Sequence, residues 1–127
     1  MNRPTVDLII PTYKPGKEFP ALLKKIAAQT YPVRRIIVRN TEEAYWDSRW
    51  EQLVPNLEVR HIRMEDFDHG GTRAEAAACS DADLLFFMTQ DAVPADNNLV
   101  HNLVKPFSMQ SVKASYARQL ARPDCRF

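Results

Sequence analysis

The stretch Val6-Asp7-Leu8-Ile9-Ile10-Pro11-Thr12-Tyr13 decides the fold. From Val6 to Ile10 it is apolar and rich in β-branched residues, broken only by Asp7, which is the pattern of a strand covered on both faces, as in a parallel sheet. The strand is expected to stop at Pro11, leaving Pro11-Thr12-Tyr13 just past its end. Pro15-Gly16 then supplies a turn. Phe19, Leu22, Leu23, Ile26 and Ala27 recur at helical spacing with Lys24 and Lys25 on the other side, so an amphipathic helix follows. Tyr31-Pro32 ends it, Ile36 to Val38 forms a second strand, and the opening reads as a βαβ unit with a right-handed crossover.

Further along, Glu42 to Leu53 carries Tyr45, Trp46, Trp50 and Leu53 at roughly helical intervals, and Pro55-Asn56 separates it from a strand at Leu57 to Ile62. His69-Gly70-Gly71 reads as a flexible turn that opens an alanine-rich helix from Thr72 to Cys79, with Thr72 as its cap. Leu84 to Met88 is an unbroken apolar run and is expected to be a central strand. Asp96 is placed to cap a helix over Leu99 to Val104 that Pro106 limits, and Val112 to Ala117 suits one more strand. Strands alternating with helices predict a three-layer α/β/α fold with a mostly parallel sheet, whose ligands sit beyond the carboxyl ends of its strands. Three segments fall there: Pro11-Thr12-Tyr13, Asn40-Thr41 and Thr89-Gln90-Asp91.

The bulk properties agree with one domain spanning 1–127. The chain has 127 residues, 45% hydrophobic and 26% charged, with a formal net charge of +1. That length can bury a core, and the mixed charge gives no footprint for nucleic acid or an anionic membrane. Cys79 and Cys125 lie far apart without metal-ligand spacing, so free or buried thiols in a reducing compartment are expected. No segment reads as a membrane span or a cleavable signal, so a cytoplasmic protein is expected.

Several residues could carry chemistry. The Asp91 carboxylate, at a strand end, suits a hard divalent cation, magnesium or manganese, bridged to phosphates; the plainer role is a strand-ending turn. Arg73, after two glycines at a helix start, suits a diphosphate, although a solvated arginine fits the same pattern. Tyr13 offers a face on which a nucleobase could stack, although an ordinary surface tyrosine fits the same place. Trp46 and Trp50 are assigned to core packing rather than to a site. His61 and His101 lack partners for metal binding or nucleophilic catalysis.

Four stretches taken together carry a resemblance: Val6 to Tyr13, Gln29-Thr30-Tyr31-Pro32, Asp68-His69-Gly70-Gly71-Thr72-Arg73, and Thr89-Gln90-Asp91-Ala92-Val93-Pro94. In order and spacing the chain resembles the inverting family-two glycosyltransferases of the GT-A fold, in their rhamnosyltransferase-like branch; Tyr116 to Asp124 is similar to the segment that opens the second half of such domains. The resemblance implies that Pro11, Thr12 and Tyr13 line a nucleobase pocket. It puts Asn40-Thr41 where an acidic pair is usual, so that either a side-chain oxygen of one of them meets the base or the base preference has changed. Thr89-Gln90-Asp91 stands for the family's Asp-x-Asp motif, with Thr89 on the ribose and Asp91 on the metal, which a single protein carboxylate would hold weakly without donor. Arg73 keeps its phosphate role.

The implied activity is transfer of a sugar, rhamnose on a deoxythymidine carrier by branch resemblance, from a nucleoside diphosphate to a saccharide acceptor with inversion. The acceptor side and the general base lie downstream of the last matching segment in the family. The chain is therefore expected to be a truncated, donor-binding part, inactive alone and prone to self-association through an exposed strand edge. A non-catalytic nucleotide-sugar-binding or assembly module in polysaccharide synthesis is the alternative. A receiver-like signalling domain fails because Pro11-Thr12 stands where receivers need an acidic pair.

Overall fold

A computed structural model describes residues 3–92, 94 and 96–108. Four strands, β1 (Val6–Tyr13), β2 (Arg35–Thr41), β3 (Leu57–Ile62) and β4 (Leu84–Phe87), pair in the order β3-β2-β1-β4, every pair parallel. Helices α1 (Phe19–Ala27), α2 (His69–Ala78) and α3 (Leu99–Val104) complete the described elements, with short 3-10 turns between them. The expected strand at Val112 to Ala117 and the segment Tyr116 to Asp124 lie outside the described residues.

The period of two along β1 builds the layers. Leu8 and Ile10 face α1 and share a core with Phe19, Leu22, Leu23, Ile26, Ile36 and Val38, while Val6 meets Val100 and Val104 of α3. Ile9, on the opposite face, packs with Ile37 and with Ala76 of α2. The sheet is thus covered on both sides, as the apolar run of β1 requires. Asp7 shares the Ile9 face and is fully buried, but Arg34 holds it with two bonds at 3.0 and 2.8 Å and Ser80 adds a third at 2.6 Å. Burial pushes its carboxyl up; the Arg34 and Ser80 hydrogen bonds and the charges of Arg34 and Arg35 outweigh that and leave it below its ordinary value.

Five local expectations are corrected. First, β1 does not stop at Pro11 but runs to Tyr13. Ile9 accepts from Met88 on the β4 side, β4 pairs no further than Ile9, and Pro11 faces that same side, where no described strand asks for an N–H. Second, β2 likewise runs past Val38 and contains Asn40 and Thr41. Third, Glu42 to Leu53 is not one helix but two 3-10 turns, Glu43–Tyr45 and Ser48–Gln52, parted by extended residues Trp46 and Asp47. The tryptophans nonetheless pack as expected, their rings 4.9 Å apart and within 5.6 and 5.4 Å of Phe19. Fourth, β4 lies at the edge of the described sheet rather than at its centre.

The fifth correction concerns caps. Asp68, not Thr72, caps α2, and the glycines lie inside its first turn. At α3 the Asp96 carboxylate accepts from Asn98, ahead of the helix, while the free N–H of Val100 is met by Gln29 Oε1 at 3.0 Å. Gln29 also donates to the Asp96 carbonyl at 2.9 Å, so the end of α1 is tied to the start of α3. Among the described residues, no helix is long and apolar enough to cross a membrane.

Candidate functional site

The carboxyl ends of β1 and β2, the start of α2 and the segment after β4 enclose a cavity of about 310 Å³. Pro11, Thr12, Tyr13, Thr41, Arg73, Thr89 and Gln90, all singled out from the sequence, line it, together with Met64 and Phe67, which were not. Its wall is mainly apolar, and Arg73 is the charged residue in its lining. That combination suits a ligand with an apolar or planar part at one end and negative charge at the other.

Asn40 is not in this cavity. In β2 successive side chains alternate, so Thr41 joins Pro11 and Tyr13 on one face while Asn40 joins Thr12 on the other. Fully buried there, Asn40 accepts from the Thr12 hydroxyl at 2.8 Å, donates to the Glu42 carbonyl at 3.2 Å, and places its nitrogen 3.1 Å from His61 Nδ1. Its oxygen is therefore engaged below the cavity floor. His61 acts as a structural partner of this network and also stacks edge-on to Trp46 at 6.0 Å.

Glu42 leaves β2 with φ 70°, in the left-handed region that a non-glycine residue occupies only when its surroundings hold it. Four bonds do so: its N–H donates to Ile62, its carbonyl accepts from Asn40 and from the Tyr45 N–H, and its carboxylate accepts from the Met64 N–H at 2.8 Å. The last bond fixes the 3-10 turn Met64–Asp66 and so brings Met64 and Phe67 to the cavity. No sequence pattern singled these two out, because an isolated Met and Phe between a strand and a helix read as ordinary loop residues.

Arg73 stands on α2. The Asp68 carboxylate accepts from the Gly71 N–H at 2.7 Å, and the Thr72 hydroxyl accepts back from the Asp68 N–H at 3.3 Å, a reciprocal cap of the helix start. Gly71 is required here for space: a Cβ would lie 2.5 Å from the Asp68 carboxylate, whereas nothing lies within 4 Å of one at Gly70. Arg73 donates one nitrogen to the His69 carbonyl at 2.8 Å, within the helix. Deeper in the sheet Arg39, nearly buried, pairs two-pronged with Glu75 at 2.7 and 3.0 Å, and Arg60 reaches the same carboxylate at 2.9 Å. The Arg39 hydrogen bonds, against the opposing pull of burial, hold Glu75 down at about 2. This cluster locks α2, and with it Arg73, onto β2. Cys79 is exposed, with its thiol 3.2 Å from Glu75, where a free or buried thiol was expected.

After β4 the chain turns through Thr89-Gln90-Asp91-Ala92, closed by the Ala92 N–H on the Thr89 carbonyl at 3.1 Å. Thr89 and Gln90 reach the cavity; Asp91 is exposed on the same turn and does not line it. Among the described residues no cluster of three or more His, Cys, Asp or Glu side chains forms a metal cage. His101 is exposed on α3.

Comparison with known proteins bears on this arrangement. The family model for glycosyl transferase family 2 matches residues 7–126. The O-antigen chain rhamnosyltransferase RfbN of Salmonella typhimurium is 38% identical over 94% of this chain and 38% of its own length. The O-antigen chain rhamnosyltransferase WbaN of Salmonella anatum is 30% identical over 95% of this chain and 39% of its own. The chain thus spans under two fifths of the length of these relatives. Among solved structures, the mannosyltransferase PcManGT of Pyrobaculum calidifontis, in complex with GDP-Man and Mn2+, superposes with a TM-score of 0.71 at 23% identity, over 87% of this chain and 34% of that one. S. aureus TarS 1-349 with UDP-GlcNAc superposes at 0.56 and 19% identity, over 77% of this chain and 29% of that one. These structures share the fold.

Proposed function

Since the chain belongs to glycosyl transferase family 2, we propose that it forms the donor-binding part of an enzyme that transfers a sugar from a nucleoside diphosphate to a saccharide hydroxyl with inversion. Rhamnose is the first candidate, on the strength of the activity for which RfbN and WbaN are named. Tyr13, Met64 and Phe67 seat the nucleobase against an apolar wall, and Thr41 offers a hydroxyl in the role usually filled by a carboxylate. Thr89 takes a ribose hydroxyl. Arg73 and the capped start of α2 take the diphosphate, where a guanidinium and a positive helix end act together.

Asp91 is the residue that would hold a divalent metal, as manganese accompanies GDP-Man in the complex named above. The fit is that of a single exposed carboxylate, so the donor's phosphate oxygens and water must supply the remaining ligands, and binding is weak until the donor is present. When bound, the ion offsets charge on the departing diphosphate.

One observation carries this reading: seven residues chosen from separate stretches of sequence line a single cavity at the strand ends. Calorimetric titration of the purified chain with dTDP-rhamnose, UDP-glucose and GDP-mannose, with and without manganese, tests it. The expected result is binding that manganese strengthens, tightest for dTDP-rhamnose, and weakened about tenfold or more by Arg73→Ala through loss of a charge-assisted contact. Tighter binding of UDP-glucose than of dTDP-rhamnose overturns the choice of donor. Absence of binding to all three overturns the site.

A further inference from the structure

Beyond Ile9, no described strand pairs with β1 on the β4 side, yet the main chain of Tyr13 is not left open there. Its N–H donates to Gln90 Oε1 at 2.7 Å, and its carbonyl accepts from Gln90 Nε2 at 3.0 Å. This is the paired exchange that two facing backbones make in an antiparallel sheet, performed by a side chain. We infer that Gln90 is a positioning residue: its carboxamide stands in for the missing strand and clamps the Thr89–Ala92 turn onto the end of β1. The inference rests on the donor-site reading, in which Tyr13 takes the base end of the donor and Asp91 the diphosphate end.

Three observations support this role over direct contact with a ligand. The oxygen of the carboxamide and one N–H of its nitrogen are both engaged by the main chain of Tyr13. A carboxamide is required because the task needs an acceptor and a donor on one planar group; an ionised carboxylate accepts only, and a methionine does neither. Tyr13 is also the last residue before a sharp departure, since Lys14 has φ 48° and its ammonium lies 5.3 Å from the Tyr13 ring centre and 4.8 Å from that of Tyr45. A non-glycine residue in that region persists where neighbouring bonds hold it, and the Gln90 clamp is one of them. By joining the Tyr13 backbone to the turn that carries Thr89 and Asp91, the clamp sets the spacing between the two ends of the donor site before any ligand arrives.

Amide hydrogen exchange at Tyr13 in the ligand-free 127-residue chain tests the clamp, and calorimetry with dTDP and with UDP, each with manganese, tests its consequence. In Gln90→Met the Tyr13 amide is expected to exchange about tenfold faster or more, as a lost hydrogen bond requires. In Gln90→Glu, which keeps an acceptor for that N–H but sets a second oxygen against the Tyr13 carbonyl, exchange is expected to be faster than in the parent chain and slower than in Gln90→Met. Nucleotide affinity falls about tenfold in Gln90→Met, from the loss of preorganisation. Unchanged Tyr13 exchange in Gln90→Met overturns the inference, and if affinity falls all the same, Gln90 touches the ligand itself. Faster exchange with unchanged affinity also overturns it, since the clamp would then position nothing. Failure of the parent chain to bind either nucleotide is a different result: it refutes the donor-site reading, and the positioning role falls with it.

Discussion

Asn40 and Thr41 are adjacent in β2, and adjacency in a strand sends their side chains to opposite faces. Thr41 lines the cavity and Asn40 lies under its floor, accepting from Thr12 and donating to Glu42. An acidic residue at position 40 would not restore a carboxylate for a base. Asn40→Asp replaces the donor facing the Glu42 carbonyl with an oxygen in a fully buried place, so it is expected to cost about 2–4 kcal/mol at neutral pH, from an unmade bond and a buried charge. Urea denaturation measures the loss, and calorimetry should show no gain in nucleotide affinity. The pairing of Thr12 with Asn40 across the strands was beyond the reach of sequence reading, which took both as residues beyond strand ends. Tyr13 and Thr89 were legible because each is the polar or aromatic residue at an abrupt end of an apolar run, and Arg73 because it follows two glycines at a helix start.

At the scale of the element, α2 shows two neighbouring glycines with different reasons to exist. At Gly70 an added methyl meets open space, and at Gly71 it meets the capping carboxylate of Asp68. Neither glycine has a positive φ, so the gain in helix propensity from alanine is available at both sites. Gly70→Ala is expected to stabilise the chain by about 0.5 kcal/mol through that propensity. Gly71→Ala is expected to destabilise it by about 1 kcal/mol, because displacing Asp68 loses the cap. Paired urea curves decide the matter, and equal effects at the two positions would show that the cap is not what selects Gly71. The helix itself was readable from its alanines, but its start was placed three residues late. Glycines in series read as a turn, and only the observed bond from Gly71 to Asp68 shows that they lie within the first turn. The region from Glu42 to Leu53 failed for a related reason: helical spacing of aromatics is produced as well by two short turns that bring Trp46 and Trp50 onto Phe19.

At the scale of the whole molecule, the second face of the sheet is held by ions as much as by apolar contact. Glu75 sits at about 2, below its ordinary 4.5, chiefly through its bonds to Arg39, and Asp7 is also lowered, burial being outweighed by Arg34 and Ser80. Carboxyls depressed on folding contribute stability above their unfolded values, and that contribution is lost as pH falls through the folded ones. Stability should therefore decline from about pH 5 toward pH 2, and Glu75→Gln should flatten part of that decline. Near neutrality the same substitution is expected to cost about 2 kcal/mol, less than a fully buried pair because the Glu75 side chain is 42% exposed. Denaturation midpoints across pH for the parent and variant chains check both statements; identical acid slopes would remove Glu75 from the account. The order of strands and helices, the apolar core from Leu8 and Ile10 to α1, and the motifs that carry family membership were determined by the sequence alone. They arise from short-range periodicity and from residue types that do not depend on distant partners. Only the tertiary structure decided that Asn40 turns away from the cavity, that Met64 and Phe67 enter it, that Gln90 is spent on the backbone of Tyr13, and that Arg39 finds Glu75. Each of these depends on where a strand ends and which distant segment lies beside it, and neither is written in any local stretch of chain.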